Sequence, residues 1–167
     1  MYITKQELDA RLNTMRAKMY EESLDALIIF SDEYRSGNST YFTNYKPINV
    51  IEESPQLITL VKDEDPVVFI GRLNAYAAQD KIPIADVRSI SEIESQIGSV
   101  FSSISNDKSR IGIIGDNLLP IKIFDSIKKV LTDVEYVECG HLLSDIRSIK
   151  SDSEIKLLSK AASINDY

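Results

Sequence analysis

The sequence predicts an α/β fold: three α/β/α layers around a mixed sheet of about five to six strands. Three observations lead there. Runs such as Ala26-Leu27-Ile28-Ile29-Phe30 and Arg110-Ile111-Gly112-Ile113-Ile114-Gly115 are apolar and β-branched, as strands buried on both faces are. Amphipathic helical stretches separate them. A hairpin pattern across residues 57–70 forces at least one antiparallel pair. At 167 residues, 43% hydrophobic and 27% charged, the chain has the size and composition of one globular domain that needs no disulfide or metal to hold a core.

Each element has its own signal. Thr4 and Glu7 have capping-box spacing, and Leu8, Leu12, Met15 and Met19 then recur on one helical face until Ser23 interrupts them. The strand at Ala26–Phe30 is followed by Ser31–Asn49, a polar, turn-rich stretch that reads as a long loop. Leu57–Val61 and Pro66–Ile70 flank the acidic turn Lys62-Asp63-Glu64-Asp65 as a hairpin. Arg72–Gln79 reads as a short helix and Asp86–Ile90 as a short strand suited to an edge.

A second capping box, Ser91 to Glu94, is expected to open a helix with Ile93, Ile97, Val100 and Ile104 inward. After the strand at Arg110–Gly115, Pro120 suits the first turn of a helix with Ile123, Ile127 and Val130 as its core stripe, and Phe124 and Leu131 beside them. Val134–Glu138 alternates as a strand with one wet face. A third box, Ser151 to Glu154, starts a closing helix with Ile155, Leu158 and Ala162.

Composition narrows the function classes. The net charge of −7 repels phosphate backbones, and no Lys/Arg stripe offsets it, so nucleic acid is not an expected partner. The polar start has no apolar signal region, and no run approaches the ~18 apolar residues of a membrane span. One cysteine, Cys139, excludes an internal disulfide and fits a reducing compartment, so the expected location is cytoplasmic and no membrane partner is expected.

Signals for chemistry are sparse. The single histidine, His141, has no HxH, HExxH or CxxC context and reads as a helix-start or surface residue rather than a ligand. Cys139 stands only two residues from it and reads as buried and structural. No catalytic residue and no metal ligand is assigned. Gly112-Ile113-Ile114-Gly115-Asp116-Asn117 ends a strand before a helix but is neither GxGxxG nor a Walker A motif. A small-molecule or nucleotide site at Gly115-Asp116-Asn117 is the alternative reading of the whole chain. Tyr34 to Pro47 concentrates Tyr34, Tyr41, Phe42 and Tyr45 beside Arg35 and Lys46. Composition leaves two readings open there, an interface or aromatics that anchor a loop to the core.

The order of features resembles the N-terminal domain of the creatinase/prolidase/Xaa-Pro aminopeptidase (M24 metallopeptidase) family. The resemblance rests on Arg11 and Met15, on Leu24–Ile29, on Asn38-Ser39-Thr40-Tyr41-Phe42-Thr43-Asn44-Tyr45 and on Arg110–Ile113. It rests most of all on the closing run Asp145-Ile146-Arg147-Ser148-Ile149-Lys150-Ser151-Asp152-Ser153-Glu154-Ile155 with Leu158 and Ala161-Ala162. Asn44 stands where the family has glycine, and Tyr45 where it has phenylalanine.

The resemblance implies a ribonuclease H-like motif over 1–148, and 149–167 as linker and first helix into an absent "pita-bread" catalytic domain. In peptidase members that domain holds two divalent metals (manganese, cobalt or zinc) on two aspartates, one histidine and two glutamates, and cleaves short Xaa-Pro peptides. Creatinase works without a metal. No cofactor is implied for this chain itself. The resemblance also implies a homodimer through this domain, with a loop lining the partner subunit's active site. That role falls on Arg35, Asn38, Tyr41, Tyr45 and Lys46.

Overall fold

A computed structural model describes residues 3–47, 54–78, 81–104 and 108–165. Ile48 and Asn49, at the end of the predicted loop, and Gln79, at the end of the predicted short helix, lie outside them, as does Asp166. The described elements are α1 (Lys5–Glu21), β1 (Ala26–Ser31), α2 (Gly37–Thr43), β2 (Gln56–Val61), β3 (Val67–Ile70), α3 (Arg72–Ala78), β4 (Asp86–Ser89), α4 (Ile93–Val100), β5 (Ser109–Ile114), α5 (Ile121–Val130), β6 (Val134–Glu138), α6 (Gly140–Ser148) and α7 (Asp152–Asn165).

The six strands form one sheet in the order β4-β3-β2-β1-β5-β6. β2 runs antiparallel to both neighbours, while the β1–β5, β5–β6 and β3–β4 pairs are parallel. The hairpin, the mixed sheet and the edge position of β4 therefore stand as the sequence predicts. β1 lies at the centre, with Ile28 opposite Thr59 on one side and Ile113 on the other, and all six of its residues are buried.

Alternate β1 residues enter two cores. Leu27 and Ile29 pack with Leu12, Met15 and Met19 of α1, Phe42 of α2 and Leu142 and Leu143 of α6. Ala26, Ile28 and Phe30 pack with Ile93, Ile97 and Val100 of α4 and Ile127 of α5. Period-two alternation in a strand covered on both faces produces these two layers.

Four expectations change. The stretch read as a loop contains α2, although Gly-Asn-Ser-Thr is poor helical sequence. Burial of Ser39, Phe42 and Thr43 overrides propensity, and Asn44 ends the turn in the left-handed conformation at φ 51°. The Ser91–Glu94 box does not form. A 3-10 turn at Ile90–Glu92 precedes α4, the Ser91 hydroxyl meets that of Ser89, and Glu94 reaches Ser126 and Lys129 on α5 instead. α4 ends at Val100, so Ile104 packs from the turn beyond it. Pro120 is the N-cap of α5 rather than a first-turn residue. Helix α6 is signalled in the sequence only by the helix-start reading of His141.

Gly115 shows why the β5–α5 turn takes glycine. Its φ is +83°, and a Cβ there would come within 2.5 Å of the Phe30 carbonyl oxygen. Of the expected α5 stripe only Ile127 is fully buried; Val130 is 37% exposed. Ile127→Ala should cost about 2–5 kcal/mol in urea unfolding, and Val130→Ala less than half as much. Equal losses would contradict this packing.

Candidate functional site

The residues singled out by sequence lie along α2 and its flanks, each tied to a different partner. Asp32, just after β1, accepts from the backbone amides of Tyr34 and Arg35 and holds the Arg35 guanidinium at 2.5 and 3.0 Å. Burial alone would raise the Asp32 pKa; the Arg35 side chain and these amides outweigh it and hold the carboxyl below its usual range. Arg35 is thus committed within its own turn. Asn38 donates to the Phe30 carbonyl at 3.1 Å and braces the β1 end against Gly115.

Tyr41 and Tyr45 part company. Tyr41 is half-buried, with its ring edge-on to Phe42 and the Arg11 guanidinium 4.2 Å above its face. Tyr45 is 5% exposed, and its hydroxyl donates to Asn74 Oδ1 at 2.7 Å, with Asn74 in turn donating to Ser54 Oγ at 3.0 Å. Burial raises the pKa of both phenols. Lys46 is exposed. Among the described residues no hydrogen bond joins any two of Arg35, Asn38, Tyr41, Tyr45 and Lys46, so they do not converge on one site: Asn38 and Tyr45 anchor the segment, and Arg35, Tyr41 and Lys46 stand at its rim.

The group that sequence reasoning missed is centred on Arg11. This arginine is 7% exposed and bonds Glu7 Oε1 (3.3 Å), the Tyr41 carbonyl (2.7 Å) and Glu154 Oε1 (3.1 Å). Ser151 closes the ring. Its hydroxyl donates to Glu7 Oε1 at 2.8 Å, its amide to Glu154 Oε2 at 2.8 Å, and it accepts from the Glu154 amide at 3.2 Å. The last capping box therefore forms in full. The first forms by half: the Glu7 amide meets Thr4 Oγ1, but the Glu7 carboxylate turns to Arg11 and Ser151. The sequence signal was an arginine beside the Leu8/Leu12/Met15 stripe, four residues after a glutamate.

Two open clefts flank Tyr41. One, about 650 Å³, includes Ile3, Gly37, Tyr41, Arg147, Lys150 and Leu158 in its lining. The other, about 580 Å³, includes Glu7, Arg11, Lys18, Tyr41, Ile149 and Glu154. Ile155 and Leu158 on α7 are exposed, as is Ile149, at 81%.

A third cleft, about 330 Å³, lies at Gly115-Asp116-Asn117. Glu138 and Asp116 line it, and the Gly140 amide at the start of α6 already bonds Glu138 Oε1 at 2.6 Å. Arg147 also lines the cleft, but two carboxylates and an occupied helix N-terminus count against a phosphate there.

Cys139 is fully buried, and burial, then Glu22 and Glu138, push its thiol up to about 11. His141 sits at the start of α6, half-exposed, with Nε2 2.9 Å from Glu22 Oε1. Among the described residues no group of three or more His, Cys, Asp or Glu side chains is placed to hold a metal, and no helix is long and apolar enough to cross a membrane.

Geometry thus defines a three-layer α/β domain whose polar rim and clefts surround one short helix. The comparisons give it a family. The model of the creatinase/prolidase N-terminal domain matches residues 11–149, and the chain belongs to that family. It is 29% identical over 168 residues to a protein of Sinorhizobium fredii (strain NBRC 101917 / NGR234) named uncharacterized hydrolase/peptidase y4tL, covering 93% of this chain and 42% of that one. The chain therefore spans about two fifths of the curated relative it matches.

Its fold is similar to that of recombinant prolidase from Thermococcus sibiricus (TM-score 0.74, 18% identity, 95% of this chain and 42% of that one). It is also similar to prolidase from Pyrococcus horikoshii OT3 (TM-score 0.68, 21% identity, 94% and 40%). An Xaa-Pro aminopeptidase chain from Streptococcus pyogenes aligns at TM-score 0.64 and 12% identity, over 86% of this chain and 99% of that one.

Two measurements follow. Tyr45→Phe removes the donor from the buried Asn74 amide and should cost about 1–3 kcal/mol in a urea melt. Tyr41→Phe, whose hydroxyl has no hydrogen bond among the described residues, should change stability by less than about 0.5 kcal/mol. Equal effects would contradict the division between anchor and rim.

The second concerns His141. Its hydrogen bond to Glu22, with Glu138 and Asp145 nearby, raises its pKa above 6.5. A raised folded pKa means a contribution fully present below the unfolded value and lost as pH climbs through the folded one. The stability difference between wild type and His141→Gln should be fully present below the ordinary histidine pKa of about 6.5 and shrink as pH rises above it. A difference that grows with pH would overturn the pairing.

Proposed function

We propose that this chain is the non-catalytic N-terminal domain of a proline-directed metallopeptidase, acting on short Xaa-Pro peptides. In this reading it pairs with a second copy and lends a wall to the partner subunit's active site. The observation that carries the proposal is the family match over residues 11–149 in a chain spanning about two fifths of prolidases of the same fold. Residues 1–148 are the domain itself, and 149–167 lead into a catalytic domain that supplies two divalent metals, manganese, cobalt or zinc. Cytoplasmic residence goes with this reading.

The residues divide the work. Tyr45 and Asn38 hold α2 from below, through Asn74 and the Phe30 carbonyl. Tyr41, Arg35 and Lys46 present the rim that faces the partner. A wall of this kind acts by excluding water and restricting which substrate fits, without touching the reacting bond. The buried, protonated thiol of Cys139 and the Glu22-bound His141 support assigning no catalytic role to either.

The purified 167-residue chain, supplied in turn with Mn²⁺, Co²⁺ and Zn²⁺, should release no proline from an Xaa-Pro dipeptide above the buffer rate. Turnover proportional to protein concentration would overturn the non-catalytic assignment. Sedimentation over a range of concentrations should show a monomer–dimer equilibrium; a monomer throughout would overturn the pairing.

A further inference from the structure

We propose that Arg11 is a positioning residue that joins the Tyr41 segment and helix α7 into one mechanical unit. A shift of α7 is then passed to α2 through a single guanidinium.

The geometry leaves few other routes. No hydrogen bond or ion pair runs directly between α7 and α2 among the described residues, and none of the α7 side chains described is fully buried. Their common partner is Arg11. Its Nη2 holds Glu154 on α7, its Nη1 holds the Tyr41 carbonyl, its plane covers the Tyr41 ring, and its Nε holds Glu7. Planarity makes these demands inseparable, because a guanidinium that turns to follow one acceptor leaves the others.

Charge makes the arginine indispensable. Glu7 and Glu154 are four-fifths buried, at 17% and 20% side-chain exposure, and are joined through Ser151. Without Arg11 two carboxylates face one another with no cation between them, an arrangement that costs more than the lost bonds. A lysine keeps the charge but cannot fork to three acceptors.

Both clefts beside Tyr41 are lined by Arg11, Tyr41, Lys150 and Glu154. The seat of α7 therefore sets their width together with the stance of Tyr41. That this stance matters to a substrate rests on the proposed function. The coupling itself does not.

Hydrogen exchange of the 167-residue chain, read by mass spectrometry, tests it. Glu154→Ala should speed exchange about tenfold across α7. It should also speed exchange, by a similar factor, at Asn44 and Tyr45, whose amides bond Thr40 O and Thr43 Oγ1 and which Glu154 does not touch. Arg11→Lys should give the same pattern, with β1 and β5 unchanged in both variants. Faster exchange confined to α7, with Asn44 and Tyr45 unaltered, would mean a local anchor and would overturn the coupling. Peptidase turnover, or a chain that stays monomeric, would overturn the proposed function and leave this result untouched, so the two proposals fail separately.

Discussion

The structure depends on the complete burial of β1. All six residues of this central strand are shielded, with antiparallel β2 on one side and parallel β5 on the other. A strand with two apolar faces needs helices on both, which is why α1, α2 and α6 cover one face and α4 and α5 the other. The carboxyl end of β1 also seats α2. The Ser31 hydroxyl accepts from the Ser39 amide at 2.9 Å, and the Phe30 carbonyl accepts from Asn38. The rim residues are displayed where they are because the central strand ends there.

Elements signalled by a continuous apolar run, by alternation or by a helical stripe were legible in the sequence: α1, all six strands and the hairpin. α2 was not. Its helix arises from burial of Ser39, Phe42 and Thr43, a tertiary effect that no local propensity carries. Two of the three capping boxes fall on real helix starts, but Ser91 does not, because a 3-10 turn intervenes. α6 was signalled only by the helix-start reading of His141, although Leu142, Leu143 and Ile146 pack inward.

The candidate site was legible in part. The aromatic stretch was visible, yet composition could not say that Tyr45 is an anchor while Tyr41 stands at the rim. That distinction depends on Asn74, 29 residues away. Arg11 and Glu154 were each visible, one in a helix and one in a capping box. Their meeting across 143 residues is a property of the fold.

Helix α7 leaves the body of the domain with Ile155 and Leu158 exposed and is held at its first turn by Arg11. The proposed role of wall and contact asks for a rigid core, a displayed rim and a fixed exit, and the described residues supply features of each kind. The most direct measurement is the coding sequence immediately beyond Tyr167. The account predicts an in-frame segment carrying two aspartates, one histidine and two glutamates as metal ligands. A stop codon directly after Tyr167 would contradict it.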